Sequence, residues 1–306
     1  MKIVVLGAGG VGGYFGARLA AAGSDVTFVA RGAHLAAMKK NGLQIKSPKG
    51  DVTISPVKAV ENISQIESAD LILVGVKLWD TDVIAPTLLP LVKKGAAVLS
   101  FQNGVQKDDI LKQHLTSDAV LGGVCFIFAN ISGPGVITHA APMARLVFGE
   151  FGGRITDRAQ AFLAACTQAG IDAELSTSIE RAIWEKFAFI VGVSATTTSM
   201  RQPLGVVRSV PQSRAFLLDV MREVVAVGRA SGIDLASDFA ENRLAFCDGL
   251  PPEMDSSMHH DLRNGNRLEL PWLSGGVVEL GASVGVPTPL NRSVAAILAP
   301  YVNGAK

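Results

Sequence analysis

The chain has 306 residues, of which 48% are hydrophobic and 18% charged. That is enough to bury two separate cores, and too apolar for a disordered chain. A formal charge of +1 provides no field to recruit nucleic acid or an anionic membrane, so any anion it binds must be held by a few local cations. Cys125, Cys166 and Cys247 are isolated in apolar segments, with no C-x-x-C pair and no histidine at ligand spacing, which reads as a reduced cytoplasmic chain without a structural metal. The N-terminal apolar run, Ile3–Leu6, is cut short by glycines and is too brief for a secretory signal, and no uninterrupted stretch reaches the length of a membrane span.

In chain order, Ile3–Leu6 is a continuous apolar run, as expected of a parallel strand covered on both faces. A helix is expected over Tyr14–Ala22, closed by Gly23, then a strand over Val26–Val29 and a helix over His34–Lys40 ending at Asn41-Gly42. Leu43–Lys46 and Val52–Ser55 flank Ser-Pro-Lys-Gly and read as a hairpin. Leu71–Val76 and Ala97–Phe101 are further buried strands, each followed by a helical stretch. Such alternation predicts an α/β fold, a Rossmann-type doubly wound parallel sheet. From Val120 to Phe148 the pattern becomes β-rich around Gly-Pro-Gly (133–135), followed by a helix near Arg158–Ala169 and a strand near Ile171–Leu175. Beyond Ser178 the alternation stops. Ile179–Ser199, Arg214–Ala230, Ser237–Phe246, Ser256–Asn264, Trp272–Val284 and Pro289–Ala299 all read as helices, with Thr288 as a cap before Pro289. The expected division is residues 1–177, a nucleotide-binding domain, and 178–306, an all-helical substrate domain.

Gly7-Ala8-Gly9-Gly10-Val11-Gly12 is G-x-G-x-x-G placed directly after a buried strand and before a helix. Gly7 permits the tight turn, Gly9 lets backbone approach a pyrophosphate, Gly12 lets helix and strand pack closely, and Gly10 extends the run. Free N–H groups at the helix start then favour phosphate. An NAD site usually carries an acid at the end of the second strand, but here that strand ends Phe28-Val29-Ala30-Arg31. A guanidinium at that place suits a 2′-phosphate, so NADPH is expected over NADH. Lys77 follows Leu71–Val76 and Gln102-Asn103-Gly104 follows the next strand, both on the carboxyl side where open α/β sheets bind ligands.

Taken together, the chain resembles the ketopantoate reductase family over nearly its whole length. The resemblance rests on the glycine motif, Arg31, Lys77, Gln102-Asn103-Gly104 and Trp184-Glu185-Lys186. It continues through Asp255-Ser256-Ser257-Met258, Gly265-Asn266-Arg267-Leu268-Glu269 and the ending Gly285-Val286-Pro287-Thr288-Pro289. It implies NADPH-dependent reduction of the 2-oxo acid ketopantoate to pantoate, serving pantothenate and coenzyme A synthesis, in a cleft between two domains. It also implies roles: Lys186 as general acid, Glu269 engaging substrate or orienting the lysine, Ser257 binding the carboxylate, and Lys77 and Asn103 touching cofactor and substrate. A carboxylate near Lys186 would hold it protonated, whereas burial or a second lysine would make it a stronger acid; the sequence does not choose. A helical second domain of this kind can supply a dimer interface, and the sequence leaves the oligomeric state open.

Two departures bear on the substrate. The family carries asparagines four and eight residues after the lysine, on one side of the helix, where this chain has Ile190 and Ser194. The family's Gly-Arg-x-Thr-Glu run keeps only its glycine, a displaced arginine and Glu269. Replacing an amide by isoleucine removes a donor and an acceptor and adds apolar surface, which favours a branched or aromatic 2-oxo acid, as in a D-2-hydroxyacid dehydrogenase. Opine-dehydrogenase-like imine reduction and a non-catalytic NADPH sensor are the more distant readings. Both fit the Lys186, Ser257 and Glu269 set less well.

Overall fold

The computed structural model describes residues 1–305, which form two compact units: residues 1–103 with 107–179, and residues 104–106 with the chain from Glu180 onward. In the first unit, β1 (Lys2–Leu6), α1 (Gly10–Ala21), β2 (Asp25–Val29) and α2 (Gly32–Asn41) come first, then the short strands β3 (Leu43–Lys46), β4 (Val52–Ile54) and β5 (Ala59–Val60). β6 (Leu71–Val74), α3 (Thr81–Val92), β7 (Ala97–Ser100) and α4 (Gln106–His114) continue the alternation. The long strands β8 (Val120–Gly133) and β9 (Val136–Glu150), α5 (Asp157–Gln168) and β10 (Asp172–Leu175) complete it.

The strands form one sheet in the order β4-β3-β9-β8-β7-β6-β1-β2-β5, with β10 also paired to β9. From β8 through β5 every pairing is parallel, whereas β8 and β9 form a long antiparallel hairpin. The apolar strand runs follow from two-sided burial. Ile3 and Val5 join one core while Val4 and Leu6 join the other, and Leu71 and Leu73 alternate in the same way with Ile72 and Val74. The sheet and its coverage are as the sequence pattern predicts. The differences include the two-residue β5, too short to leave a pattern, helix α1, which starts at Gly10 rather than Tyr14, helix α2, which starts at Gly32 rather than His34, and β6, which ends at Val74 rather than Val76. Glycine is a poor helix former, but a Cβ at Gly12 would stand 2.3 Å from the Gly7 carbonyl oxygen, so close packing overrides propensity there.

The second unit is helical: α6 (Ile179–Met200), α7 (Leu204–Ser209), α8 (Pro211–Ala230), α9 (Phe239–Asp248), α10 (Ser257–Arg263), α11 (Ser274–Ser283) and α12 (Pro289–Leu298). Glycines bring α6 and α8 together: a Cβ at Gly192 would meet Met221 Cγ at 2.5 Å, and one at Gly228 would meet the Trp184 ring at 2.8 Å. Several expectations need correction, among them α9, which runs Phe239–Asp248 instead of Ser237–Phe246. Helix α7 has no counterpart in the sequence reading. α8 begins at Pro211 instead of Arg214, and α11 at Ser274 instead of Trp272, because the Trp272 and Leu273 N–H groups turn back to the Glu269 carbonyl. Thr288 occupies the N-cap of α12 but makes no side-chain cap bond. Glu223 of α8 does that work, accepting from the Leu290 N–H at 2.8 Å and the Asn291 N–H at 2.9 Å. Among the described residues, no helix is long and apolar enough to cross a membrane.

Candidate functional site

In the first unit, the parallel strands β7, β6, β1 and β2 lie side by side and end in the same direction. Their register therefore brings Asn103, Lys77, the glycine loop and Arg31 to one edge of the sheet. The chain leaves β1 toward β2 and later returns to β6 on the other side, which makes this edge the switch point where such sheets bind ligands.

The glycines divide the labour. Gly7 has φ +95° and a Cβ there would meet Val76 N at 2.8 Å, so only glycine makes this turn against the end of β6. Gly9 has φ −74°, open to any residue, and the space its Cβ would fill holds no atom within 4 Å. Gly10 does the opposite, because a Cβ would lie 2.1 Å from the Ala129 carbonyl oxygen of β8. Gly9 thus faces open space, while Gly7, Gly10 and Gly12 serve the packing behind it. No side chain caps the N-terminus of α1 and its first turn carries no acid, which leaves its N–H groups for an anion. These features fit a dinucleotide pyrophosphate.

Around the loop, Arg31 is exposed at the N-cap of α2, with no acid at the end of β2. Lys77 is exposed, its Nζ 5.5 Å from the centre of the Trp79 ring. Asn103 is half-buried beside Gln102, whose structural part the sequence reading did not foresee. Buried Gln102 accepts from Ser100 Oγ at 2.9 Å and donates to the Val76 carbonyl at 3.0 Å and Thr81 Oγ1 at 2.7 Å, tying the ends of β6 and β7 together. A second unforeseen residue is His34, on the first turn of α2. Its Nδ1 accepts from the Gly135 N–H at 3.1 Å, so Nε2 carries the proton and donates to the Ala8 carbonyl at 2.9 Å. Burial pushes the His34 pKa down, against a smaller upward pull from the Ala8 carbonyl.

The second unit holds the remaining candidates. Trp184 packs edge-on against Phe187 at 5.7 Å and anchors α6 in the helical core. Lys186 is only 9% exposed. Its neighbour Glu185 turns away to pair with Arg181 at 2.7 Å, so the two charges are not a simple surface pair. Helical spacing places Lys186, Ile190, Ser194 and Thr197 on one face of α6. Ile190 packs against the helical core and Ser194 is buried.

The lower end of that face is tied to α10. Thr197 Oγ1 spends its proton on the Val193 carbonyl at 2.7 Å, so Ser256 Oγ must donate to it at 2.8 Å. Ser256 Oγ also caps α10 by accepting from the His259 N–H at 3.1 Å. Asp255 holds the same turn, accepting from the Ser256 N–H at 2.8 Å and His259 Nδ1 at 2.6 Å. Ser256 is therefore committed to the fold, and the adjacent Ser257 is the exposed serine of the pair. Glu269 is buried, on a segment anchored where the Leu268 N–H meets the Val302 carbonyl at 2.9 Å. Thiol chemistry has no foothold at Cys166 and Cys247, since burial pushes them up to about 12 and about 11.

Comparison with known proteins gives this arrangement its lineage. Residues 3–153 match the family model described as ketopantoate reductase PanE/ApbA, and residues 178–302 match that described as ketopantoate reductase PanE/ApbA C terminal. A Bacillus subtilis protein named as an uncharacterized oxidoreductase, YkpB, is 32% identical, covering 98% of this chain and 99% of its own length. A 2-dehydropantoate 2-reductase from Archaeoglobus fulgidus is 33% identical, covering 96% of this chain and 95% of its own. The crystal structure of 2-dehydropantoate 2-reductase from Geobacter metallireducens superposes with a TM-score of 0.91 at 30% identity, covering 98% of this chain and 99% of that one. With one profile matching the sheet unit, the other the helical unit and relatives matched end to end, the chain belongs to the ketopantoate reductase family of oxidoreductases.

Proposed function

We propose that the chain is an NADPH-dependent reductase of a 2-oxo acid, with ketopantoate as the leading substrate and pantoate as the product. The observation that carries this reading is the buried Lys186 of α6, on one helix face with Ile190, Ser194 and Thr197. A buried ammonium is kept where its charge is partnered, and proton donation to a developing alkoxide is a use that reduction of a 2-oxo acid has for it.

When bound, the reduced nicotinamide supplies the hydride that reaches the 2-oxo carbon. The chain's own residues do the rest. Gly9 and the open start of α1 receive the pyrophosphate, and Arg31 the 2′-phosphate, while Lys77 and Asn103 stand at the same sheet edge. Lys186 carries the proton that the carbonyl oxygen takes up as it becomes an alkoxide, and its positive charge stabilises that oxygen beforehand. Ser257 binds the carboxylate, and Glu269 engages substrate or orients Lys186.

A second reading shares this chemistry and changes the substrate. Ile190 and Ser194 stand one and two turns beyond Lys186 on its face, and Ile190 packs with the apolar core. An apolar wall there favours a branched or aromatic 2-oxo acid, with weaker selectivity than an amide gives. The test is the loss of nicotinamide absorbance with ketopantoate and with a panel of branched and aromatic 2-oxo acids, using NADPH and NADH in parallel. Ketopantoate turning over best supports the first reading, a bulkier acid the second, and no turnover with any acid refutes both.

A further inference from the structure

Peptide geometry makes one bond at the glycine loop matter more than its size suggests. The C=O and N–H of a peptide unit point in opposite directions because the unit is planar and trans. Fixing the Ala8 carbonyl therefore fixes the direction of the Gly9 N–H, which points away from His34, in a loop whose Gly9 Cβ position has open space around it. The group that fixes the Ala8 carbonyl is the His34 Nε2–H at 2.9 Å.

His34 is itself held from behind. Its Nδ1 takes the Gly135 N–H at 3.1 Å, from the turn joining β8 and β9. That turn sits on α2, since a Cβ at Gly135 would lie 3.2 Å from Ala37 Cβ. The same hairpin backs the loop again where Ala129 meets Gly10. Both imidazole nitrogens are thus committed, one as donor and one as acceptor, which only the neutral ring can satisfy. His34 also lies three residues after Arg31, so the first turn of α2 serves both the pyrophosphate loop and the candidate 2′-phosphate residue.

We propose that His34 is a positioning residue for dinucleotide binding: its imidazole bridges the Gly135 N–H and the Ala8 carbonyl and so aims the Gly9 N–H at the pyrophosphate. This rests on the cofactor reading above. His34 touches neither hydride nor proton, so its removal should act on cofactor affinity and leave the chemical step alone.

The test uses the full chain as wild type, His34→Ala and His34→Gln. NADPH affinity is measured by quenching or enhancement of its fluorescence, thermal unfolding is followed without ligand, and steady-state rates are taken with whichever 2-oxo acid the wild type reduces. His34→Ala should weaken NADPH about tenfold, as expected for one hydrogen bond whose buried partner is left unpaired, with kcat at saturating NADPH within about twofold. Glutamine offers a donor and an acceptor at similar reach, and His34→Gln should recover most of the affinity. Unchanged NADPH affinity in His34→Ala overturns the proposal. So does a parallel loss of affinity, kcat and Tm that glutamine does not restore, since that marks a general structural part. Wild-type protein that binds neither NADPH nor NADH overturns the cofactor reading itself, and this proposal with it.

Discussion

Gly9 and Gly10 are neighbours with opposite jobs, and alanine at each should separate binding from folding. At Gly9, φ −74° and ψ −167° are ordinary for alanine, and the new methyl meets nothing within 4 Å. Lower freedom of the unfolded chain favours alanine by about 0.4–1 kcal/mol, and the poorer N-cap takes back a similar amount. Stability should stay near wild type, with Tm moving by less than about 3 °C. The methyl projects into the space assigned to the pyrophosphate, and a clash of that kind costs about 1–3 kcal/mol, or roughly 5- to 150-fold in the NADPH Kd. At Gly10 the methyl would lie 2.1 Å from the Ala129 carbonyl oxygen, and backbone must move. That variant should lose about 1–3 kcal/mol of stability, a fall in Tm of roughly 3–10 °C. Fluorescence titration with NADPH and thermal unfolding of both proteins give the answer. Gly9→Ala binding NADPH like wild type, or melting as low as Gly10→Ala, would refute the division of roles.

Lys186→Ala should lower kcat by roughly 100-fold or more while the NADPH Kd stays within a few-fold, because a general acid acts on the transition state; unchanged turnover, measured by nicotinamide absorbance, would remove it from the mechanism. Arg31→Ala should weaken NADPH while leaving NADH nearly unchanged, and equal weakening of both nucleotides in paired titrations would contradict a 2′-phosphate role. Burial raises the Glu150 pKa, but hydrogen bonds from Arg158 and Thr156 with nearby positive charge outweigh it and hold the group below its usual 4.5. A carboxyl lowered by folding stabilises the fold above its unfolded value, and that contribution is lost as pH falls through the folded value. The urea midpoint should therefore decline below about pH 4.5. With the arginine gone burial gains the upper hand and would raise the folded pKa, a penalty relieved as pH falls, so Arg158→Met should weaken or invert the decline below about pH 4.5, and identical pH profiles for the two proteins would disprove the coupling.

The parts legible in the sequence are those set by neighbours along the chain. β1, β6 and β7 announced themselves because both faces of each are buried, which leaves an unbroken apolar run. The glycine loop was readable because its turn, its packing and its open approach all need glycine within six positions. What was not legible depends on residues far apart in sequence. His34 meets Gly135, Gln102 meets Thr81, and Glu223 caps the helix after Thr288. No local pattern distinguishes such a histidine, glutamine or glutamate from a solvated one. Thr288 misled for the same reason: its residue type suits a cap, but the carboxylate of α8 already occupies the donors. Ser256 and Ser257 are alike by residue type; the family resemblance singles out Ser257, and the bonds of the Ser256 hydroxyl to Thr197 and the His259 N–H show why its neighbour is the one left exposed.

The commitment of Ser256 to the fold also bears on how α6 is held. Thr197 and Ser256 lock the lower end of the α6 face to α10 by hydrogen bonds that spend the Thr197 proton internally. Trp184 fixes the upper end in the core, with Gly228 making room for its ring. Lys186 is therefore held from both sides by residues that need not touch a substrate. Ile190 and Ser194 lie between the two anchors, about one and two turns from Lys186, with Ile190 against the helical core and Ser194 buried. If these residues act as proposed, changing Ile190 or Ser194 should alter the substrate's surroundings while the two anchors keep Lys186 in place. On the proposed reading, substrate preference is therefore to be tested at residues 190 and 194 and reaction class at residue 186.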